Sequence, residues 1–122
     1  MEGCADVFAP VAMASDDMAF WMYTSGTTGR PKAAVHRHGA VHAADRFLGQ
    51  VLDVGSDDRL FCTSRLFFAY SLGHCFFGAL RLGAATILMD GWPTPESVAA
   101  VVARHRPTIM LSVPTFYRNL MD

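Results

Sequence analysis

Tyr23-Thr24-Ser25-Gly26-Thr27-Thr28-Gly29-Arg30-Pro31-Lys32 is the stretch on which the reading of this chain turns. Gly26 and Gly29 let the main chain turn and approach a ligand without a side-chain clash. Consecutive turn N–H groups form an anion-binding concavity, and the hydroxyls of Thr24, Ser25, Thr27 and Thr28 add donors suited to phosphate oxygens. Arg30 and Lys32 bring positive charge, and Pro31 stiffens the exit. The chemistry is that of a polyphosphate cradle. It is not the P-loop of kinases and GTPases, in which Gly-Lys precedes a Ser or Thr that holds magnesium; here Ala33 follows Lys32. A bare G-x-x-G would read as an ordinary polar surface turn, whereas the full ten-residue string favours the phosphate reading.

Outward from this loop, short apolar runs alternate with helical periodicity. Phe20 to Tyr23 before the loop and Ala33 to Val35 after it read as strands. A helix fits His38 to Leu52, with Val41, Ala44, Leu48 and Val51 on one face. Arg59 to Cys62 reads as a strand, followed by a helix over about Ser71 to Leu82 that stacks Leu72, Cys75, Phe76, Ala79 and Leu80 on one face and is closed by Gly83. Ala85 to Met89 reads as a buried strand stopped by Asp90-Gly91. The next helix has Thr94 as cap, Pro95 at the first position, Glu96 at the positive end of the dipole, and a stripe of Val98, Val101 and Val102. Thr108 to Ser112 is a further strand, and Pro114 opens a last helix. The alternation predicts an α/β fold, a largely parallel sheet with flanking helices. Residues 1–17 lack a clear period and read as an irregular lead-in to a domain over 18–122.

The chain has 122 residues, a net charge of −1, 52% hydrophobic and 17% charged residues. One domain fits that length. The balanced charge speaks against a nucleic-acid partner, which calls for a basic face. The apolar share excludes disorder and is high for so small a domain, as expected where partner surface is missing. Leu66 to Leu80, the greasiest stretch, is too short to cross a bilayer. Glu2 stands where a secretory signal carries positive charge, so no targeting segment and no membrane partner are expected. Cys4, Cys62 and Cys75 form no C-x-x-C pair and read as ordinary thiols of a cytoplasmic protein. His36 and His38 form H-x-H and His42 lies one helical turn past His38, yet only Asp45 could complete a metal set locally, so no metal site is assigned. His74 and His105 read as ordinary helix residues.

Tyr23 to Lys32 resembles the phosphate-loop signature of the adenylate-forming superfamily, AMP-dependent acyl-CoA synthetases and their kin. Asp16-Asp17-Met18-Ala19-Phe20-Trp21, Val35-His36-Arg37-His38, Leu66-Phe67-Phe68-Ala69-Tyr70-Ser71-Leu72-Gly73, Arg106-Pro107-Thr108 and Val113-Pro114-Thr115 are similar to the benzoate-CoA ligase branch. The resemblance implies part of the N-terminal domain of an ATP- and Mg2+-dependent ligase. In that chemistry a carboxylate attacks the ATP α-phosphate, pyrophosphate leaves, and the thiol of coenzyme A displaces AMP from the acyl-adenylate. It further implies that Thr24, Ser25, Gly26, Thr27, Thr28, Gly29 and Lys32 bind the nucleotide. Phe68, Ala69 and Tyr70 would line a flat aryl-acid pocket, Phe68 standing where many members carry histidine. An aromatic wall suits a benzoate ring, although the same residues could simply be core before a helix.

Two departures bear on activity. Ala33 replaces the glycine that usually follows the motif lysine. Lys32 is the only lysine, and Glu2 and Glu96 are the only glutamates. The adenylation lysine and the Gly-x-Thr-Glu magnesium motif of the superfamily are therefore absent from these residues, and no catalytic residue is expected among them. The sequence reads as an internal piece of a longer ligase, inactive by itself. The alternatives are a non-catalytic nucleotide- or partner-binding remnant and a piece of a peptide-synthetase adenylation domain.

Overall fold

The computed structural model describes residues 7–26 and 29–121. It begins with an antiparallel hairpin, β1 (Met18–Thr24) against β2 (Lys32–Arg37), running from Met18 opposite Arg37 to Thr24 opposite Lys32. Both strands are longer than the apolar runs suggested, because backbone pairing carries them to the edges of the loop. The register shifts between Met18 and Phe20. Phe20 faces inward, its ring stacked on His36 at 4.9 Å and tilted against Phe77 at 5.7 Å.

A 3-10 turn, His38–Ala40, leads into α1 (Val41–Gln50). Then come β3 (Arg59–Cys62), a continuous helical segment over 69–81 that we call α2, β4 (Ala85–Ile87), α3 (Pro95–His105), β5 (Ile109–Leu111) and α4 (Pro114–Met121). The sheet is parallel with order β4-β3-β5. The chain thus steps from β3 to one side and then back across it. Right-handed crossovers for two opposite steps place α2 and α3 on opposite faces. Leu60 and Phe61, consecutive on the central strand, are accordingly both fully buried, the pattern of a parallel strand covered on both faces. Leu60 packs with Leu48, Val54, Cys75, Ala79 and Ala84.

The expected α/β architecture is therefore present, with the hairpin as an antiparallel addition to the parallel sheet. Three details differ from the periodicity. Segment α2 is α-helical only at Ala69–Ser71 and Ala79–Arg81, with π geometry over Leu72–Gly78 between them. A π turn spends one more residue than an α turn, so the buried stripe becomes Ser71, Cys75, Gly78 and Ala79 while Leu80 turns out to 54% exposure. Close packing explains Gly78: a Cβ there would lie 2.6 Å from Leu48 Cδ1. Val51, beyond the last turn of α1, is exposed, and Val102 sits at the edge of the stripe headed by buried Val98.

The ends of α2 and α3 follow the local signals. Gly83 has φ +76, and the N–H groups of Gly83 and Ala84 donate back to Leu80 and Ala79 carbonyls, a Schellman closure. At α3 the Ser97 N–H donates to Thr94 Oγ1 at 3.2 Å and the Thr94 N–H donates to Ser97 Oγ at 2.9 Å. This reciprocal box leads us to expect that Thr94→Ala lowers stability by about 1 kcal/mol, measured by urea unfolding. A change indistinguishable from zero would mean that α3 is held by packing alone. Among the described residues, no helix is long and apolar enough to cross a membrane.

Candidate functional site

The hairpin presents the loop between β1 and β2 at one end, with Thr24 and Lys32 as the last facing pair. Thr24, Ser25, Gly29, Arg30 and Lys32 are exposed there. Gly26 has φ +60 and Gly29 φ +77, so the backbone takes left-handed turns on both sides of the loop tip. The chain folds back tightly at Gly26. A Cβ on it would sit 2.9 Å from the Arg30 carbonyl oxygen and 3.7 Å from Lys32 Cγ, so only glycine lets the Lys32 stem and the Arg30 backbone approach. Thr27 and Thr28 lie outside the described residues. Hydroxyls, a left-handed backbone and one ammonium group are thus collected on a solvent-facing edge, an arrangement suited to phosphate oxygens. Among the described residues no group of three or more His, Cys, Asp or Glu side chains comes together. The described residues therefore build no all-protein cage for Mg2+, an ion that nucleotide sites hold largely through the phosphates themselves.

A second concentration of polar groups lies at the C-terminal ends of the parallel strands, where open α/β sheets bind ligands. A cleft of about 320 Å³ there is lined by residues of all three elements around it, among them Cys62, Thr63, Arg65, Phe67, Cys75 and Gly91. Between β3 and β5, where the chain reverses its direction across the sheet, Thr63 Oγ1 and Ser112 Oγ share a 2.6 Å hydrogen bond. The Arg65 guanidinium lies 4.9 Å over the Trp92 ring. Ser71 Oγ donates to the Arg65 carbonyl, and the Phe68 N–H donates to the same oxygen at 3.0 Å. These bonds fix the loop that feeds α2.

Phe68, Ala69 and Tyr70 stand at the start of α2, where successive side chains point in different directions. Phe68 is 53% exposed and leans on Phe67, with ring centroids 4.6 Å apart. Ala69 lines a smaller cleft with Phe20, His36, Ala44 and His74. The Tyr70 ring lies 5.3 Å from His74, and burial, then the nearby thiols, raise its phenol above the ordinary value. Phe67 borders both the strand-end cleft and a larger one, about 770 Å³, between β1 and α2. The sequence pointed to the aromatic run containing Phe67 but gave no role to Thr63, Ser112 or Arg65. A run of four aromatic or small residues carries no sign of which one faces a cleft. His36, His42 and His74 serve packing and pairing: His36 stacks on Phe20, His42 Nδ1 meets Arg81 at 2.9 Å, and His74 Nδ1 meets the Tyr70 carbonyl at 2.9 Å.

With the parallel sheet and the glycine-hinged hydroxyl loop beside it, residues 2–122 match the family model of AMP-binding enzymes. The chain belongs to that family. It is 49% identical over 121 residues to a 3-hydroxybenzoate--CoA/4-hydroxybenzoate--CoA ligase of Thauera aromatica, covering 99% of this chain and 23% of the relative. Among solved structures, it superposes on a benzoate CoA ligase from Burkholderia xenovorans LB400 with a TM-score of 0.86 and 35% identity, over 98% of this chain and 24% of the other. ATP-bound MatB from Rhodopseudomonas palustris gives a TM-score of 0.84 at 28% identity, over 98% and 23%. The chain thus spans about a quarter of the length of the relatives it matches.

Proposed function

We propose that these residues supply the phosphate loop and part of the acid pocket of an ATP-dependent aryl-CoA ligase. The observation that carries the reading is the 49% identity to a hydroxybenzoate-CoA ligase along nearly the whole chain. In the proposed reaction the acid's carboxylate oxygen attacks the ATP α-phosphorus and pyrophosphate departs. The sulfur of coenzyme A then attacks the acyl carbon, and AMP leaves. The loop contributes to the first step by holding the β- and γ-phosphates as negative charge builds on the departing pyrophosphate, which is electrostatic positioning. Thr24, Ser25 and Lys32 face solvent at the edge where that charge would sit, and Gly26 and Gly29 supply the turn. Thr27 and Thr28 are assigned with them on the sequence motif. Phe68, Ala69 and Tyr70 are assigned to the acid site on the sequence resemblance, with Ala69 lining a cleft beside Phe20 and His74. Lys32 is the only lysine among the 122 residues and is committed to the loop, so any lysine that promotes adenylation lies elsewhere.

Acid-dependent exchange of labelled pyrophosphate into ATP by the intact protein tests the reading. Benzoate or a hydroxybenzoate should support exchange at least about tenfold faster than acetate, a difference of about 1.4 kcal/mol, with a thioester formed on adding coenzyme A. Tyr70→Ala should erode the preference for aryl acids more than it lowers the rate with ATP saturating. Equal or faster exchange with acetate would remove the aryl assignment. No exchange with any carboxylate would remove the ligase assignment.

A further inference from the structure

Between the hairpin, α1 and α2 lies the smaller cleft, about 210 Å³, whose wall includes Phe20, His36, Ala69, His74 and Phe77. An apolar space of ~150 Å³ holds a benzene ring, so this one suits a ring that carries a substituent. Among the described residues, His36 and His74 are the only polar side chains on its wall. The two imidazoles are not equivalent. His36 lies flat on Phe20 at 4.9 Å, 8° from parallel, and no hydrogen bond to a described residue fixes its tautomer. His74 is held on two sides, by the Phe47 ring edge-on at 5.3 Å and the Tyr70 ring at 5.3 Å. Its Nδ1 lies 2.9 Å from the Tyr70 carbonyl oxygen, one helical turn earlier on α2. We propose that His74 reads a ring hydroxyl of the acid: its Nε2 accepts a hydrogen bond from a hydroxybenzoate seated in this cleft, and the ligase favours hydroxybenzoates over benzoate.

The tautomer carries the argument. A carbonyl oxygen only accepts, so Nδ1 must hold the proton in its bond to Tyr70. In the neutral ring Nε2 then keeps the lone pair and can only accept. With Nδ1 tied to the main chain, Nε2 is the distal nitrogen, and no described residue hydrogen-bonds it. A lone pair there attracts an O–H and repels a carboxylate, which is itself an acceptor. The acid's carboxylate therefore stays out of this contact and remains free to attack ATP. Ala69, on the same wall, is a residue the proposed function assigns to the acid site, and the role of His74 rests on that reading. Discrimination then has two sources. A hydroxybenzoate pairs with Nε2, whereas benzoate displaces water from Nε2 and leaves it without a partner.

The test is kcat/KM for acid-dependent pyrophosphate exchange by the intact protein, with the 3- and 4-hydroxybenzoates, their fluoro analogues and benzoate. Fluorine is close to a hydroxyl in size but donates no hydrogen bond. At least one hydroxybenzoate should exceed both benzoate and its own fluoro analogue by about tenfold, the cost of leaving a desolvated acceptor unpaired. In His74→Phe, which keeps a flat ring beside Phe47, that ratio should fall to about one, since the acceptor is gone. His74→Gln, whose side-chain oxygen can stand near the place of Nε2, should recover part of it. A purely structural role would lower exchange with every acid and leave the ratio standing. Hydroxy and fluoro analogues used alike by the wild type, or a ratio unchanged in His74→Phe, would overturn the proposal while the ligase reading stands. The wild-type comparison can overturn it even if the variants do not fold. No exchange with any acid would remove both.

Discussion

Gly26→Val lowers aryl-acid-dependent pyrophosphate exchange of the intact protein by about 100-fold, the penalty for a displacement of about 1 Å in a positioning element. Gly26 has φ +60, a region that β-branched residues avoid. Its new Cβ would also stand 2.9 Å from the Arg30 carbonyl oxygen, a backbone atom that can yield only by moving the loop. The Lys32 stem, next in line at 3.7 Å, would move with it. Because the loop is exposed, unfolding stability should change far less than exchange does. Gly29→Ala separates strain from collision. Gly29 has φ +77 but nothing within 4 Å of the added Cβ, so it should lose only the cost of a left-handed alanine, about 1–2 kcal/mol. Gly55→Val, in open space without a positive φ, is the neutral control. Full exchange in Gly26→Val would show that the loop does not hold the phosphates.

Phe61→Ala produces the largest loss of stability, about 3–5 kcal/mol. Phe61 is fully buried on the central strand of the parallel sheet, with Met110 of β5 and Ile87 of β4 as its register partners. Both neighbouring strands close around it, so the cavity cannot collapse without breaking strand pairing. Against a domain stability of about 5–15 kcal/mol, that loss would leave a large unfolded population. Phe68→Ala is the contrast. With half its surface already in water, it should cost only about 1 kcal/mol by the area removed from burial and mainly change acid preference instead. The comparison is urea unfolding of the two variants side by side. Similar losses would mean that Phe68 is core, and its place in the acid wall would fall.

The two phenylalanines show where reading the chain in one dimension stops. Phe61 and Phe68 both sit in apolar runs, and no period distinguishes the fully buried one from the half-exposed one. The difference arises because β3 is flanked on both edges and covered on both faces, whereas Phe68 is the extended residue that caps α2. Leu80 makes the same point on a helix. It falls on the apolar stripe of an ideal α-helix, and the π turn over Leu72–Gly78 rotates it into solvent. That turn accompanies a close approach of α2 to Leu48 at Gly78, a contact between segments far apart in the chain.

What the amino-acid order determined by itself was local. It marked the Thr94-Pro95 start of α3, the left-handed closure at Gly83, the succession of strands and helices, and the glycine-hinged hydroxyl loop, because each depends on residues within a few positions of one another. Tertiary structure alone decided the strand order β4-β3-β5 and the antiparallel hairpin beside it. It also decided the meeting of Thr63 with Ser112 and the seat of Arg65 over Trp92. Those contacts depend on which strand lies beside which. That choice is made by burial of whole faces and the handedness of crossovers, and short apolar runs do not name their partners.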